Sequence, residues 1–213
     1  MSVHKPSSQK LFELLRFYAI HDAEVTQLDL TQWAEAVLAA GFTTLQVRDK
    51  LRVQPEDALR IVVRRARRAG ACVIVNDWVD LAERVDADGV HLGEADADPG
   101  QVRHNHRDWI IGASARTVER AILMLHAGVD YLGVGPIYAT QTKQGLPEPI
   151  GWAGFDAVAE STPLPCIGIG GLGAACLEQE SRRSERAIGL AFCGAVGTRE
   201  GIARMAQAIE RCR

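Results

Sequence analysis

The sequence predicts a single (β/α)8 TIM barrel, an α/β fold, and three observations carry that prediction. Eight short apolar runs, rich in β-branched residues, recur through the 213 residues. A segment patterned for a helix follows each run, so strand and helix alternate along the chain. The runs are near-continuous apolar stretches, the mark of parallel strands covered by helices on both faces. Eight such units in a chain of this length predict a closed barrel rather than an open sheet.

The elements follow in order. Residues 1–15 form an N-terminal extension with a short extra helix that caps the bottom of the barrel. The first strand is "RFYAI" (16–20), and the helix after it, "DLTQWAEAVLAAG", sets Trp33, Ala36, Val37 and Ala40 on one face before stopping at Gly41. "TTLQV" (43–47) precedes "PEDALRIVVRRARRAG", opened by Pro55 and closed by Gly70. "CVIV" (72–75), "GVHL" (89–92) and "WIIGA" (109–113) come next; in "TVERAILMLHAG", Thr117 is the N-cap and Gly128 lies past the end. "YLGVG" (131–135), "CIGIG" (166–170) and "IGLAF" (188–192) complete the set, and "REGIARMAQAIERCR" places Ile202, Met205, Ala206 and Ile209 on one face. The seventh helical segment, "LEQESRRSER", is strongly polar and offers little apolar face. No linker or low-complexity tract divides the chain, so residues 1–213 read as one domain.

Composition excludes several classes of partner. A hydrophobic content of 47% with 24% charged residues is ordinary for a globular protein. The formal net charge of −3 argues against a nucleic-acid or anionic-membrane surface. No apolar stretch is long enough to span a membrane, and Lys10, Glu13 and Arg16 interrupt any signal-peptide core. The five cysteines show no paired spacing, which predicts a reduced, cytoplasmic protein without disulfides.

In such a barrel, chemistry lies on the loops that follow the strands. Read there, strand one supplies His21 and Asp22, strand two Gln46, Arg48, Asp49 and Lys50, and strand three Asn76 and Asp77. Strand four supplies His91, Glu94 and Asp96, strand five Ser114, Arg116 and Thr117, and strand six Tyr138, Thr140, Thr142 and Lys143. Strands seven and eight end in backbone, at Gly170–Gly171 and Gly194–Ala195. Cations among hydroxyls and an amide suit phosphate oxygens, with Arg as a fork and Lys as a point charge. Asp77 and Asp96 close adjacent strands and can share one Mg²⁺, which binds through one or two carboxylates plus substrate phosphates. Gly170–Gly171 lets backbone N–H groups approach a second phosphate. Four lysines stand against twenty arginines, and two of the four, Lys50 and Lys143, fall at predicted strand ends. Each piece also has an ordinary reading: Asp77 as a helix cap, Tyr138 as packing, His91 as a core histidine, His104 and His106 as a solvated pair. Their convergence on one rim is what favours a site.

In order and spacing, "QVRDK", "VNDWVDLA", "DGVHLGEAD", "IGASART", "YLGVGPIYATQTK" and "GIGG" resemble the thiamine phosphate synthase family, from about Phe17 to the end. The resemblance implies a transferase that joins an aminomethylpyrimidine diphosphate to a thiazole phosphate, with Mg²⁺ and release of pyrophosphate. It implies that Gln46, His91 and Tyr138 border the pyrimidine, and that Arg48, Lys50, Asn76, Ser114 and Lys143 hold the diphosphate. Asp77 and Asp96 would ligate Mg²⁺, Thr140 and Thr142 would line the thiazole end, and the Gly171 backbone would meet the thiazole phosphate. The bond to diphosphate would break largely before the thiazole nitrogen attacks, with the positive charge spread by the pyrimidine amino group. The partners expected are these small molecules, with no nucleic acid and no membrane; a homo-oligomer stays open.

Three positions depart from the family pattern: Arg116 where a histidine is usual, the bulky Trp78 after Asn76–Asp77, and Gly194 where a serine is common. Arg116 is expected to turn to solvent at the start of the next helix. The alternatives are a thiazole tautomerase-like isomerase on the same barrel, whose catalytic histidine would fall at position 116, and a non-catalytic phosphometabolite-binding barrel.

Overall fold

The computed structural model describes residues 5–140, 148–180 and 187–212. Eight parallel strands form a closed barrel in sequence order: β1 (Phe17–Asp22), β2 (Thr44–Arg48), β3 (Cys72–Asn76), β4 (Gly89–Leu92), β5 (Ile110–Ala115), β6 (Tyr131–Val134), β7 (Cys166–Ile169) and β8 (Ala187–Phe192). β8 returns to β1 with Phe17 opposite Leu190, which closes the sheet. The eight strands are those expected from the sequence. β1, β2, β3 and β5 run one or two residues further than the apolar runs did, so Asp22, Arg48, Asn76 and Ser114 lie on the strands themselves and not on loops.

The helices are α1 (Ser8–Leu15), α2 (Leu30–Ala39), α3 (Glu56–Arg68), α4 (Val79–Val85), α5 (Pro99–Asn105), α6 (Val118–His126), α7 (Gly151–Glu160), α8 (Ala175–Glu180) and α9 (Arg199–Arg211). Their starts are capped as the sequence suggests: the Thr117 hydroxyl accepts from Arg120 N–H, and Pro55 stands at the N-cap of α3. α2 buries Leu30, Trp33, Ala34 and Val37, while α9 buries Ile202, Met205, Ala208 and Ile209. On α9 it is Ala208, not Ala206, that completes the inner face. Of the polar seventh segment, α8 buries Leu177, and residues 181–186 lie outside the described residues. No helix among the described residues is long and apolar enough to cross a membrane, and the five cysteines form no disulfide.

α1 closes the floor of the barrel. Leu11, Leu14 and Leu15 pack against Tyr18, Ile20 and Cys72 inside it, each fully buried apolar side chain contributing about 1.5–3 kcal/mol. The Leu14 carbonyl accepts the hydroxyls of Thr43 at 2.7 Å and Thr44 at 2.6 Å, which satisfies an end-of-helix acceptor. A second floor device occurs twice. Asp88, just before β4, accepts the Val73 N–H at 2.8 Å and pairs with Arg67 at 2.9 Å. Asp130, just before β6, accepts the Ile111 N–H at 2.8 Å and pairs with Arg103 and Lys5, each at 2.5 Å. Each carboxylate thus ties the preceding strand to the helix that leads into that strand, α3 into β3 and α5 into β5.

Inside the barrel, room is made by glycine. Gly112 of β5 stands opposite Tyr131 of β6, and a Cβ there would lie 2.1–2.4 Å from the phenol ring. Gly112→Ala is therefore expected to displace the ring and cost about 1–3 kcal/mol. Calorimetry should show a midpoint lower by several degrees, at roughly 2–4 °C per kcal/mol for this size. An unchanged midpoint would mean that the ring moves aside freely.

Candidate active site

The strands open at their C-terminal ends into one cavity of about 750 Å³. Alternation along each strand decides what faces it. Asp22 of β1, Gln46 and Arg48 of β2, Asn76 of β3, His91 of β4 and Ser114 of β5 all line it. Their neighbours in sequence point the other way: His21 is buried among the helices, edge-on to Trp33 at 5.1 Å, and burial holds its pKa below the usual histidine value.

Two carboxylates meet Lys50 at the cavity's edge. Asp77 follows β3 with a left-handed backbone (φ 63°) and donates its N–H to the His91 carbonyl at 2.9 Å. Left-handed backbone is costly for any residue but glycine, and aspartate is among those that tolerate it. The Asp77 carboxylate is not a helix cap, since Trp78 is the N-cap of α4; it does not itself line the cavity but pairs with Lys50, which does. Asp96 is set by the Gly93 N–H, which it accepts at 2.7 Å. Burial, and next the neighbouring Asp96 carboxyl, push Asp77 up to about 6, while Lys50 opposes the rise. Lys50 pairs directly with Asp77 and lies 4.0 Å from Asp96. An ammonium thus sits between two carboxylates that repel one another.

Trp78 supports the loop that bears Lys50. Its indole N–H donates to the Asp49 carbonyl at 3.0 Å, and the Arg52 guanidinium lies 3.9 Å from its ring centroid. Asp49 in turn accepts the Val53 and Gln54 N–H groups, so it shapes the turn and does not face the cavity.

Arg48 is held by a residue to which sequence reading gave no role. Asp22, opposite it in the β1–β2 register, pairs with its guanidinium at 2.5 Å. The Asp22 side chain is 2% exposed and that of Arg48 16%. Part of the arginine's charge is therefore already balanced before any anion arrives.

Below the mouth a row of hydrogen bonds crosses the barrel. Gln46 Nε2 donates to the Tyr18 hydroxyl at 3.0 Å, and that hydroxyl meets the Tyr131 hydroxyl at 2.8 Å. Tyr131 reaches His91 Nδ1 at 3.1 Å, and His91 Nε2 reaches Ser114 Oγ at 3.1 Å. His91 is thus both a satisfied interior histidine and a wall of the cavity. Tyr18 and Tyr131 had no signal in the sequence beyond that of core aromatics.

The β6–β8 side differs more from expectation. Thr140 and Gly171 line the cavity. Gly171 has φ 67°, and a Cβ there would lie 2.7 Å from the Tyr138 Cβ, so both backbone and space require glycine. Gly194, in a short 3-10 turn (Gly194–Val196), lines the cavity with backbone alone. Tyr138, expected beside the pyrimidine, does not line the cavity; it is exposed, accepts the Trp152 indole N–H at 2.9 Å and stands edge-on to that ring. Thr142 and Lys143 lie outside the described residues. Arg116 does not turn to solvent: it lines the cavity and donates to the carbonyls of Gly135 at 3.3 Å and Glu148 at 2.8 Å. His106, expected to be solvated, stacks on Trp109 at 3.8 Å and pairs with Glu83 at 3.2 Å.

The chain is similar to known proteins in sequence and in fold. A family model described as thiamine monophosphate synthase matches residues 17–195. A thiamine-phosphate synthase of Chloroflexus aurantiacus is 38% identical over 161 residues, which cover 74% of each chain. Another, of Azorhizobium caulinodans, is 36% identical over 206 residues, covering 93% of this chain and 97% of the relative. The solved structure of a thiamine phosphate pyrophosphorylase from Pyrococcus furiosus superposes with a TM-score of 0.80 at 27% identity, covering 95% of this chain and 98% of the other.

Proposed function

The chain belongs to the thiamine monophosphate synthase family, and from that premise we infer that it is a thiamine-phosphate synthase, a transferase that joins an aminomethylpyrimidine diphosphate to a thiazole phosphate and releases pyrophosphate. The observation that carries the assignment of roles is Lys50, which pairs with Asp77, lies 4.0 Å from Asp96 and shares one cavity with Asp96, Arg48, Gln46 and His91.

In this reading the diphosphate lies against Arg48, Lys50, Asn76 and Ser114, with Lys143 expected to join them, and the pyrimidine lies deeper, against Gln46 and His91. Thr140 and the Gly171 backbone receive the thiazole phosphate, with Thr142 expected beside them. Mg²⁺ suits Asp77 and Asp96. Among the described residues no group of three or more His, Cys, Asp or Glu gathers as a metal cage, whereas two mutually repelling carboxylates beside a phosphate site are what Mg²⁺ ordinarily uses. When bound, the ion would neutralise charge on the departing pyrophosphate. The protein groups do the rest: Arg48 and Lys50 balance the growing negative charge, Gln46 orients the ring, and the buried floor excludes water. No side chain need act as a nucleophile.

Incubating the purified protein with both substrates and Mg²⁺ tests this directly. Thiamine phosphate and pyrophosphate should appear in equal amounts, and chelation should stop the reaction. Binding of both substrates without product would leave a non-catalytic barrel.

Arg116 yields a separate expectation. Its two bonds hold carbonyls on either side of Thr140, and an imidazole is too short to replace them. Arg116→His should lower kcat/KM by about tenfold, the equivalent of one to two hydrogen bonds, mostly through KM. Steady-state kinetics decide it; unchanged constants would make the bracing incidental.

A further inference from the structure

The hydrogen-bonded row across the barrel has one direction in which every buried hydroxyl proton finds an acceptor. An amide nitrogen only donates, so the Tyr18 oxygen accepts from Gln46 Nε2. In the one order that leaves neither buried phenol proton without an acceptor, Tyr18 gives its single proton to the Tyr131 oxygen and Tyr131 gives its own to His91 Nδ1. A neutral imidazole that accepts at Nδ1 carries its proton on Nε2, which faces Ser114 Oγ. The Ser114 proton is thereby turned onward, and Gln46 keeps an acceptor oxygen at the other end. Burial raises both phenols above the usual tyrosine range, so neither loses its proton at neutral pH.

The row joins five strands and has Tyr131 at its centre. A Cβ at Gly112 would strike the Tyr131 ring, and one at Gly133 would lie 2.9 Å from His91 Cε1. Both glycines thus leave the space that the two rings fill. We propose that Tyr131 is a positioning residue that holds His91 as the Nε2–H tautomer and aligns the row with its acceptor end at Gln46 and its donor end at Ser114. The role rests on the synthase reading, in which Gln46 meets the pyrimidine and Ser114 the diphosphate. Breaking the bond between them leaves positive charge on the ring and negative charge on pyrophosphate. A row of fixed dipoles running from acceptor to donor in that sense stabilises the separation without reorganising, and each bond in it strengthens the next.

Nitrogen-15 NMR of histidine-labelled, substrate-free protein reads the tautomer, with the His91 signals assigned by their loss in His91→Asn. The wild-type protein should show Nε2–H with an unprotonated Nδ1. Tyr131→Phe keeps the ring and removes the link: His91 should become a mixture of tautomers, and kcat should fall about tenfold, as for one lost buried hydrogen bond, with KM for both substrates little changed. Tyr18→Phe cuts the row one link earlier and replaces this variant if Tyr131→Phe does not fold. A wild-type proton on Nδ1, or an unchanged tautomer in the cut variant whatever its activity, overturns the proposal. A cut variant with mixed tautomers and full kcat overturns its catalytic half. A wild-type protein with the Nε2–H tautomer and no synthase turnover refutes the synthase reading and leaves the tautomer lock standing.

Discussion

Asp77→Asn is expected to cut turnover at least a hundredfold and, at neutral pH without Mg²⁺, to make the protein more stable. The first effect follows from the proposed metal site: one carboxylate of two is gone, and removing one transition-state charge contact costs about 3–4 kcal/mol. The second follows from the crowding at the mouth. Asp77 titrates near 6 in the folded protein against 3.8 ordinarily, so the unfolded chain gives up this proton more readily. Its charge therefore costs stability as pH rises above 3.8, and the full cost is present above about 6. Two pKa units correspond to at most about 3 kcal/mol, and some of that is lost to solvent at the open mouth. The expected gain in the variant is a few degrees at pH 7.5, vanishing near pH 4, at roughly 2–4 °C per kcal/mol. Saturating Mg²⁺ should shrink it, because the ion stabilises only the wild-type pair. Melting curves at the two pH values, with turnover measured beside them, decide the matter; an equal gain at both would remove the carboxylate repulsion as its cause.

Asp22→Ala is expected to act in the opposite direction on stability. It strips Arg48 of its buried partner, and breaking such a pair from one side costs about 3–5 kcal/mol when the orphaned charge is fully buried. Because Arg48 opens onto the cavity, the lower part of that range is expected, as a midpoint lower by several degrees. Inorganic pyrophosphate should restore much of the loss, since it offers the guanidinium a new anion, and should raise the variant's midpoint more than that of the wild type. The KM for the diphosphate substrate should rise with the loss of the fixed fork. A midpoint indifferent to the substitution would show that Arg48 is neutralised by solvent and not by Asp22.

The barrel was legible because its strands are buried on both faces, so each wrote an apolar run that nothing else in the chain imitates. The rim was legible for a related reason: polar residues that end an apolar strand stand out, and Asp77, Arg48, Asn76 and Ser114 do so. Pairings were not legible. Asp22 meets Arg48 because the β1–β2 register sets them opposite one another, and Tyr18 meets Tyr131, 113 residues away, only because closure brings the two strands across one interior. Tyr138 was misplaced for a local reason. β6 ends at Val134, and beyond it the two-residue alternation no longer governs where a side chain points. Arg116 lies one residue past β5; its length lets it reach carbonyls on the next loop where a shorter cation would have met water.

The paired floor clamps, Asp88 with Arg67 and Asp130 with Arg103, have a consequence for how this chain can change. They lie before the strands begin, at the opposite end of the barrel from Asp77 and Lys50, and share no partner with them. Effects at sites so separated combine independently. The floor holds the barrel shut while the mouth carries a left-handed aspartate and crowded carboxylates. Mutational drift at the mouth can therefore explore new ligands without a matching change at the floor, and the robustness of the scaffold and the evolvability of its chemistry reside at separate ends of the same eight strands.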